Sequence, residues 1–259
     1  MSVNKIIAGW AVAMGMAQAQ WVHYPTAGIP RTADGKPNLS APAPRTADGK
    51  PDLSGIWEFN RREGRLHGNL AADLKDVPFQ PSAERLYRDH LATSGATDPA
   101  ARCLPFGVPR VHVTFEPYQM IQRPDRVVVL HENLTMFRQI FMDGRELPAN
   151  RTPTWMGYSV GYWEQDTLVV TSAGFNGKAW LDTNGHPTSD ALHVIERFRR
   201  RDFGHMEIQI TIDDPKMYTR PWTVIVPHEL LPDSELLEFV CLENEKSLSH
   251  YVAPKRSQP

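Results

Sequence analysis

The sequence predicts a mainly β fold: an antiparallel β-barrel, with a β-sandwich as the alternative. Three observations predict it. Between Arg126 and Leu242, short runs of alternating apolar and polar residues follow one another at even spacing. Turn residues separate them, at Pro124-Asp125, Glu164-Gln165-Asp166 and Asp202-Phe203-Gly204. Nearly every expected pairing joins sequence neighbours, which favours a closed barrel over a sandwich.

The elements follow in chain order. Lys5, the apolar run Ile6 to Met16 and Ala17-Gln18-Ala19 read as a secretory signal peptide over 1–19. Cleavage after Ala19 leaves Gln20 first and sends the mature chain to the periplasm or the outside. The run is too short for a permanent membrane helix, and no later stretch reads as a membrane span. A Pro-rich arm is expected over 20–54, extended and either disordered or laid on the barrel. It carries a duplication: Pro30-Arg31-Thr32-Ala33-Asp34-Gly35-Lys36-Pro37-Asn38-Leu39-Ser40 recurs as Pro44 to Ser54 with one change, Asn38 to Asp52. Its prolines and Asp-Gly pairs exclude long regular structure.

The barrel domain is expected over 55–259. Gly55 to Phe59 is the first strand, and Pro81 to Leu91 is one short helix, with Pro81 in its first turn. Asp98 to Arg110 reads as loop. Strands are expected at Tyr118–Gln122, Arg126–Glu132 and Thr135–Met142. Hairpins follow, pairing Tyr158–Trp163 with Thr167–Ser172, Ala191–Arg199 with His205–Ile212, and Trp222–His228 with Leu236–Leu242.

Composition excludes some functions. With 28 Lys and Arg against 30 Asp and Glu, the net charge of −2 argues against an electrostatic nucleic-acid binder. The basic run Arg197, Arg199, Arg200 and Arg201 reads as a solvated strand end or a local anion patch. Cys103 and Cys241 allow one disulfide in an exported chain. The other reading is two buried thiols, because Phe239 to Leu242 resembles a core strand.

The chemistry points to one strand. Leu192, Val194, Glu196 and Phe198 share a face, and His193, Ile195, Arg197 and Arg199 the other. A carboxylate among large apolar residues is costly unless it is paired or used. Glu196 is therefore either a general acid or base with a raised pKa, helped by Arg138 and Tyr158, or half of a structural ion pair with Arg138. Arg138 shares a strand face with Met136, Ile140 and Met142. Trp57, Trp155, Tyr162, Trp222 and His193 are the candidate ligand contacts, able to stack on a sugar or an apolar molecule or to cap the core. No metal and no cofactor is expected, for the histidines lack metal-ligand spacing. Gly-x-Ser-x-Gly and phosphate-loop motifs are missing from the sequence.

Gly55-Ile56-Trp57 resembles the Gly-x-Trp signature of lipocalins and related calycin barrels, where the Trp closes one barrel end. A broader set of segments resembles a group of secreted bacterial proteins of unknown function. It includes Pro51 to Trp57, Arg102-Cys103-Leu104-Pro105, Phe137 to Arg145 and Trp155 to Gly161. It continues through Trp163-Glu164, Asp166 to Val170, Ile212 to Pro215, Tyr218-Thr219 and Arg220 to Thr223. This resemblance implies a shared fold and export, and no activity. The expected function is a lipocalin-like barrel that binds a small, partly apolar molecule or a sugar. The rivals are a cavity enzyme (lyase, isomerase or glycan-cleaving) using Glu196, and an envelope or surface interaction module using the arm. The sequence does not define an oligomeric state.

Overall fold

The computed structural model describes residues 25–63, 68–243 and 246. The expected signal peptide and cleavage site, residues 1–20, lie outside them. Among the described residues nine strands form: β1 Gly55–Phe59, β2 Tyr118–Arg123, β3 Arg126–His131, β4 Phe137–Phe141, β5 Tyr158–Glu164, β6 Thr167–Ala173, β7 His193–Arg200, β8 His205–Asp213 and β9 Trp222–Leu230. They close into one barrel in chain order, with β9 returning to β1 at Trp57↔Leu230 and Phe59↔His228. One helix, α1 (Pro81–Ala92), lies where it is expected, with Pro81 in its first turn. The barrel excludes the sandwich.

Two expectations are corrected together. Leu236–Leu242 forms no strand, because β9 pairs with β8 on one side and β1 on the other and leaves no edge to extend. Nine strands then close the ring instead of ten. Directions cannot alternate all the way round a ring of odd number, so one neighbouring pair must run parallel. That pair is β4 and β5, joined over only two register positions, Ile140↔Ser159 and Phe141↔Val160. The barrel is thus not wholly antiparallel.

Alternation decides what faces in. Met120, Val127, Val129, Ile140, Val170, Val194, Phe198, Ile208, Ile210 and Val226 fill the interior, and each is buried. The expected β7 pattern holds, for Leu192, Val194, Glu196 and Phe198 are buried while His193, Ile195 and Arg199 are exposed. Trp57 is fully buried in the core, and its indole N–H donates to the Leu53 carbonyl at 3.0 Å.

The arm, over its described part, lies on the barrel. Both copies of the duplication fold alike. Arg31 donates to the Gly35 carbonyl and Arg45 to that of Gly49, while Thr32 and Thr46 bond Asp34 and Asp48. Each copy is then clamped to a different acid, Arg31 to Asp233 and Arg45 to Asp166. Cys103 and Cys241 are joined as a disulfide, with Cα atoms 5.6 Å apart. The bond closes a loop of 138 residues, which the chain-entropy model credits with up to about 5 kcal/mol.

Candidate functional site

The barrel interior holds a polar cluster centred on Glu196. β7 delivers Glu196 and β4 delivers Arg138, two strands separated in the ring by β5 and β6. The Arg138 guanidinium clasps both Glu196 oxygens, Nη1 to Oε1 at 2.9 Å and Nη2 to Oε2. Its Nε donates to Ser159 at 3.0 Å and its Nη2 to Ser172 at 2.8 Å. A third element enters from outside the sheet. The short 3-10 helix Arg110–His112 is anchored by the buried ion pair of Arg110 with Asp98, at 2.7 Å. It places His112 Nε2 2.6 Å from Glu196 Oε1.

The electrostatics follow from that geometry. Burial pushes the Glu196 carboxyl up. The Arg138 charge and the hydrogen bonds from His112 and Arg138 outweigh it and hold the pKa at about 2. Glu196 is therefore an anion at neutral pH. An ionised carboxylate only accepts, so His112 Nε2 is the donor of their bond. The raised pKa that acid–base work by Glu196 requires is absent, and the ion-pair expectation with Arg138 is met.

Around this triad stand Tyr118, His131 and His228, all buried. Tyr118 packs 6.0 Å from the His112 ring, 5.7 Å from His131 and 5.5 Å from His228, centroid to centroid. Burial, then the Glu196 charge, lifts the Tyr118 phenol well above its ordinary value. Burial, then the neighbouring His112 and Arg138, drops His131 to about 3, so it is neutral. His228 is pushed well down chiefly by burial. Sequence reasoning did not single out these residues as part of a site. Three were legible, since Tyr118, His131 and His228 fall in step with Met120, Val129 and Val226 on inward faces. His112 was not, because it sits in a loop with no period to read. Among the described residues, no group of three or more His, Cys, Asp or Glu side chains is placed to hold a metal ion. No helix there is long and apolar enough to cross a membrane.

A cavity of about 510 Å³ opens where β4 and β5 splay apart below their two paired positions. Outward-facing Phe137, Phe141 and Tyr158 line it together with inward-facing Arg138 and Ser159. Met136, Trp155 and Met156 complete an apolar wall. The wall is held by a close approach. Gly107 has φ +74°, and a Cβ there would meet the Trp155 carbonyl oxygen at 2.8 Å, so only glycine lets the two chains pack. The rim is strained. Leu134 and Thr135, both lining the cavity, have φ of +55° and +49°, a costly conformation for a β-branched residue. Phe141 stacks on Tyr158 at 5.1 Å, and Arg145 caps that pair, 4.0 Å above the Phe141 ring and bonded to the Tyr158 hydroxyl at 3.0 Å.

The candidate residues thus divide. Arg138, Tyr158 and Trp155 meet at the seam cavity, and Glu196 stands behind Arg138 without lining it. Trp57 and Trp222 are buried elsewhere in the core, the latter edge-on to Tyr218 at 5.5 Å. Tyr162 and His193 point to solvent, on the outer faces of β5 and β7. No family model matches the chain, and no curated protein matches it.

Proposed function

We propose that this chain is an exported, lipocalin-like barrel protein that binds a small, partly apolar molecule in the β4–β5 seam. The observation that carries this reading is the cavity itself. Its volume falls in the range of small-molecule sites, and its walls combine aromatic and thioether groups with few polar ones. Arg138 supports the reading further. Four of its five N–H groups are committed to Glu196, Ser159 and Ser172, which leaves one donor on Nη1 of a residue that lines the cavity. A carbonyl or hydroxyl on an otherwise apolar ligand suits that donor.

Glu196 serves here as the fixed counter-ion that orients Arg138. Carrying no proton at neutral pH and with both oxygens engaged, it is poorly suited to the acid–base role of a cavity enzyme. Export rests on the amino-terminal residue pattern, and the Cys103–Cys241 bond is in keeping with it.

The test is a titration with Nile red, a neutral apolar fluorophore. Saturable enhancement is expected, lost in Phe137→Asp, which charges an exposed ring on the cavity wall without disturbing the core. Equal enhancement by both proteins, or none by either, refutes the seam as the site.

A further inference from the structure

At the arm-covered end of the barrel a second cavity, about 700 Å³, is lined by Arg45, Arg199, Arg200 and Arg201 with a single acid, Asp166. One wall is the second copy of the duplicated segment, the others the β5–β6 turn and the end of β7. Two of the four cations are neutralised. Arg45 grips Asp166 with two bonds, at 2.6 and 3.0 Å, and Arg201 pairs with Glu63 and Glu207 at 3.0 and 3.1 Å. The other two are not. Arg199 is exposed and has no ion-pair partner among the described residues. Arg200 is buried, and its hydrogen bonds go only to carbonyl oxygens, those of Asp52, Asp202 and Phe203.

Arg200 is the unusual group. A buried cation normally has a carboxylate against it. Among the described residues no carboxylate pairs with it directly, and Asp52 and Asp202 act on its charge only from a distance. The guanidinium is instead held by the rings of Trp57 and Phe203, at 4.9 and 5.0 Å. Burial lowers its pKa to about 10, which still leaves it charged at neutral pH. The carbonyls occupy Nε and one N–H on each terminal nitrogen. One N–H on Nη1 and one on Nη2 remain free of a partner, two charged donors open to an oxyanion.

We propose that this cavity is an oxyanion site, taking a phosphate or sulfate group between Arg200 and Arg199. Arg200 supplies a fixed, preorganised fork at the floor. Arg199 supplies an exposed cation at the mouth. Asp166 competes for the site by holding Arg45 away from the ligand. The site is separate from the seam cavity, shares no lining residue with it, and stands whether or not the seam binds a ligand.

The experiment is calorimetric titration of the disulfide-bonded protein at low ionic strength, first with inorganic phosphate and then with dextran sulfate. Binding of phosphate alone marks a free oxyanion as the ligand, and binding of dextran sulfate marks an ester on a polymer; either supports the site. Arg199→Ala, a surface change, is expected to weaken binding about tenfold by removing one charge-assisted contact. Asp166→Asn, on an exposed turn, is expected to strengthen it by freeing Arg45. The opposite signs separate ligand binding from a loss of fold. Heat with neither anion, or unchanged affinity in Arg199→Ala, overturns the proposal.

Discussion

Two buried arginines stand at inward strand positions of this barrel, and they are stabilised in opposite ways. Arg138, in the middle of the lumen, faces a carboxylate with both oxygens engaged, two serine hydroxyls and a histidine behind the acid. Arg200, at the arm-covered end, faces three carbonyl oxygens and two aromatic rings. The first charge is cancelled where it stands. The second is solvated by neutral groups, with Asp52 and Asp202 acting on it without direct contact. A cancelled charge holds structure and offers a ligand one directional N–H. A solvated charge keeps its field and attracts an anion. The difference teaches that burial alone does not mark a functional cation; the sign and number of its partners do.

The sharpest break is to remove the acid. Glu196→Gln leaves Arg138 charged and buried, with an amide in place of its anion. Destabilisation by about 3–5 kcal/mol is expected for such a broken pair. Denaturant unfolding of the two proteins measures it. A loss below about 1 kcal/mol, the range of an exposed pair, would show that water already compensates Arg138.

Acid makes the same break without mutation. Glu196 is depressed to about 2 from an ordinary 4.5, so its contribution is complete above 4.5 and is lost as pH falls towards 2. His131 acts earlier. The unfolded chain takes up a proton near 6.5 that the folded chain refuses until about 3, so folding weakens as pH drops below 6.5. Stability is therefore expected to slope downwards from about pH 6.5 and to steepen below about 4.5. Denaturation midpoints across that range test it. A flat profile would mean that water reaches the lumen and hydrates both groups.

The smallest expected effect comes from the other arginine. Arg200→Met removes the cation, keeps most of the apolar stem against Trp57 and strands carbonyl oxygens rather than a carboxylate. About 1–3 kcal/mol is expected, the cost of buried neutral acceptors left unpaired. A cost equal to that of Glu196→Gln would erase the contrast between the two sites.

Much of the lumen was legible because strand periodicity is local. Leu192, Val194, Glu196 and Phe198 announce an inward carboxylate, and Met136, Arg138 and Ile140 announce its partner. The pairing needed only that the barrel turn the inner faces of β4 and β7 towards one interior. The failures have a different origin. Leu237, Phe239 and Val240 have the composition of a strand, yet they remain partly or largely exposed outside the sheet. Nothing in that segment tells it that β1 has already taken the edge of β9. The prolines of the arm suggest an extended segment; its two copies form matching bonded turns, which their Thr-Ala-Asp-Gly-Lys core specifies in place.

The sequence by itself determined most of the strands, their faces and the helix, because each depends on residues two to four positions apart. Tertiary structure alone decided the closure. Nine strands in a ring force one parallel pair, and that pair is short because its strands must splay. The splay opens the seam cavity on Arg138. Tertiary structure also decided which arginine is cancelled. Arg138 and Arg200 both belong to inward strand positions, and only the fold brings an acid to one and carbonyls to the other.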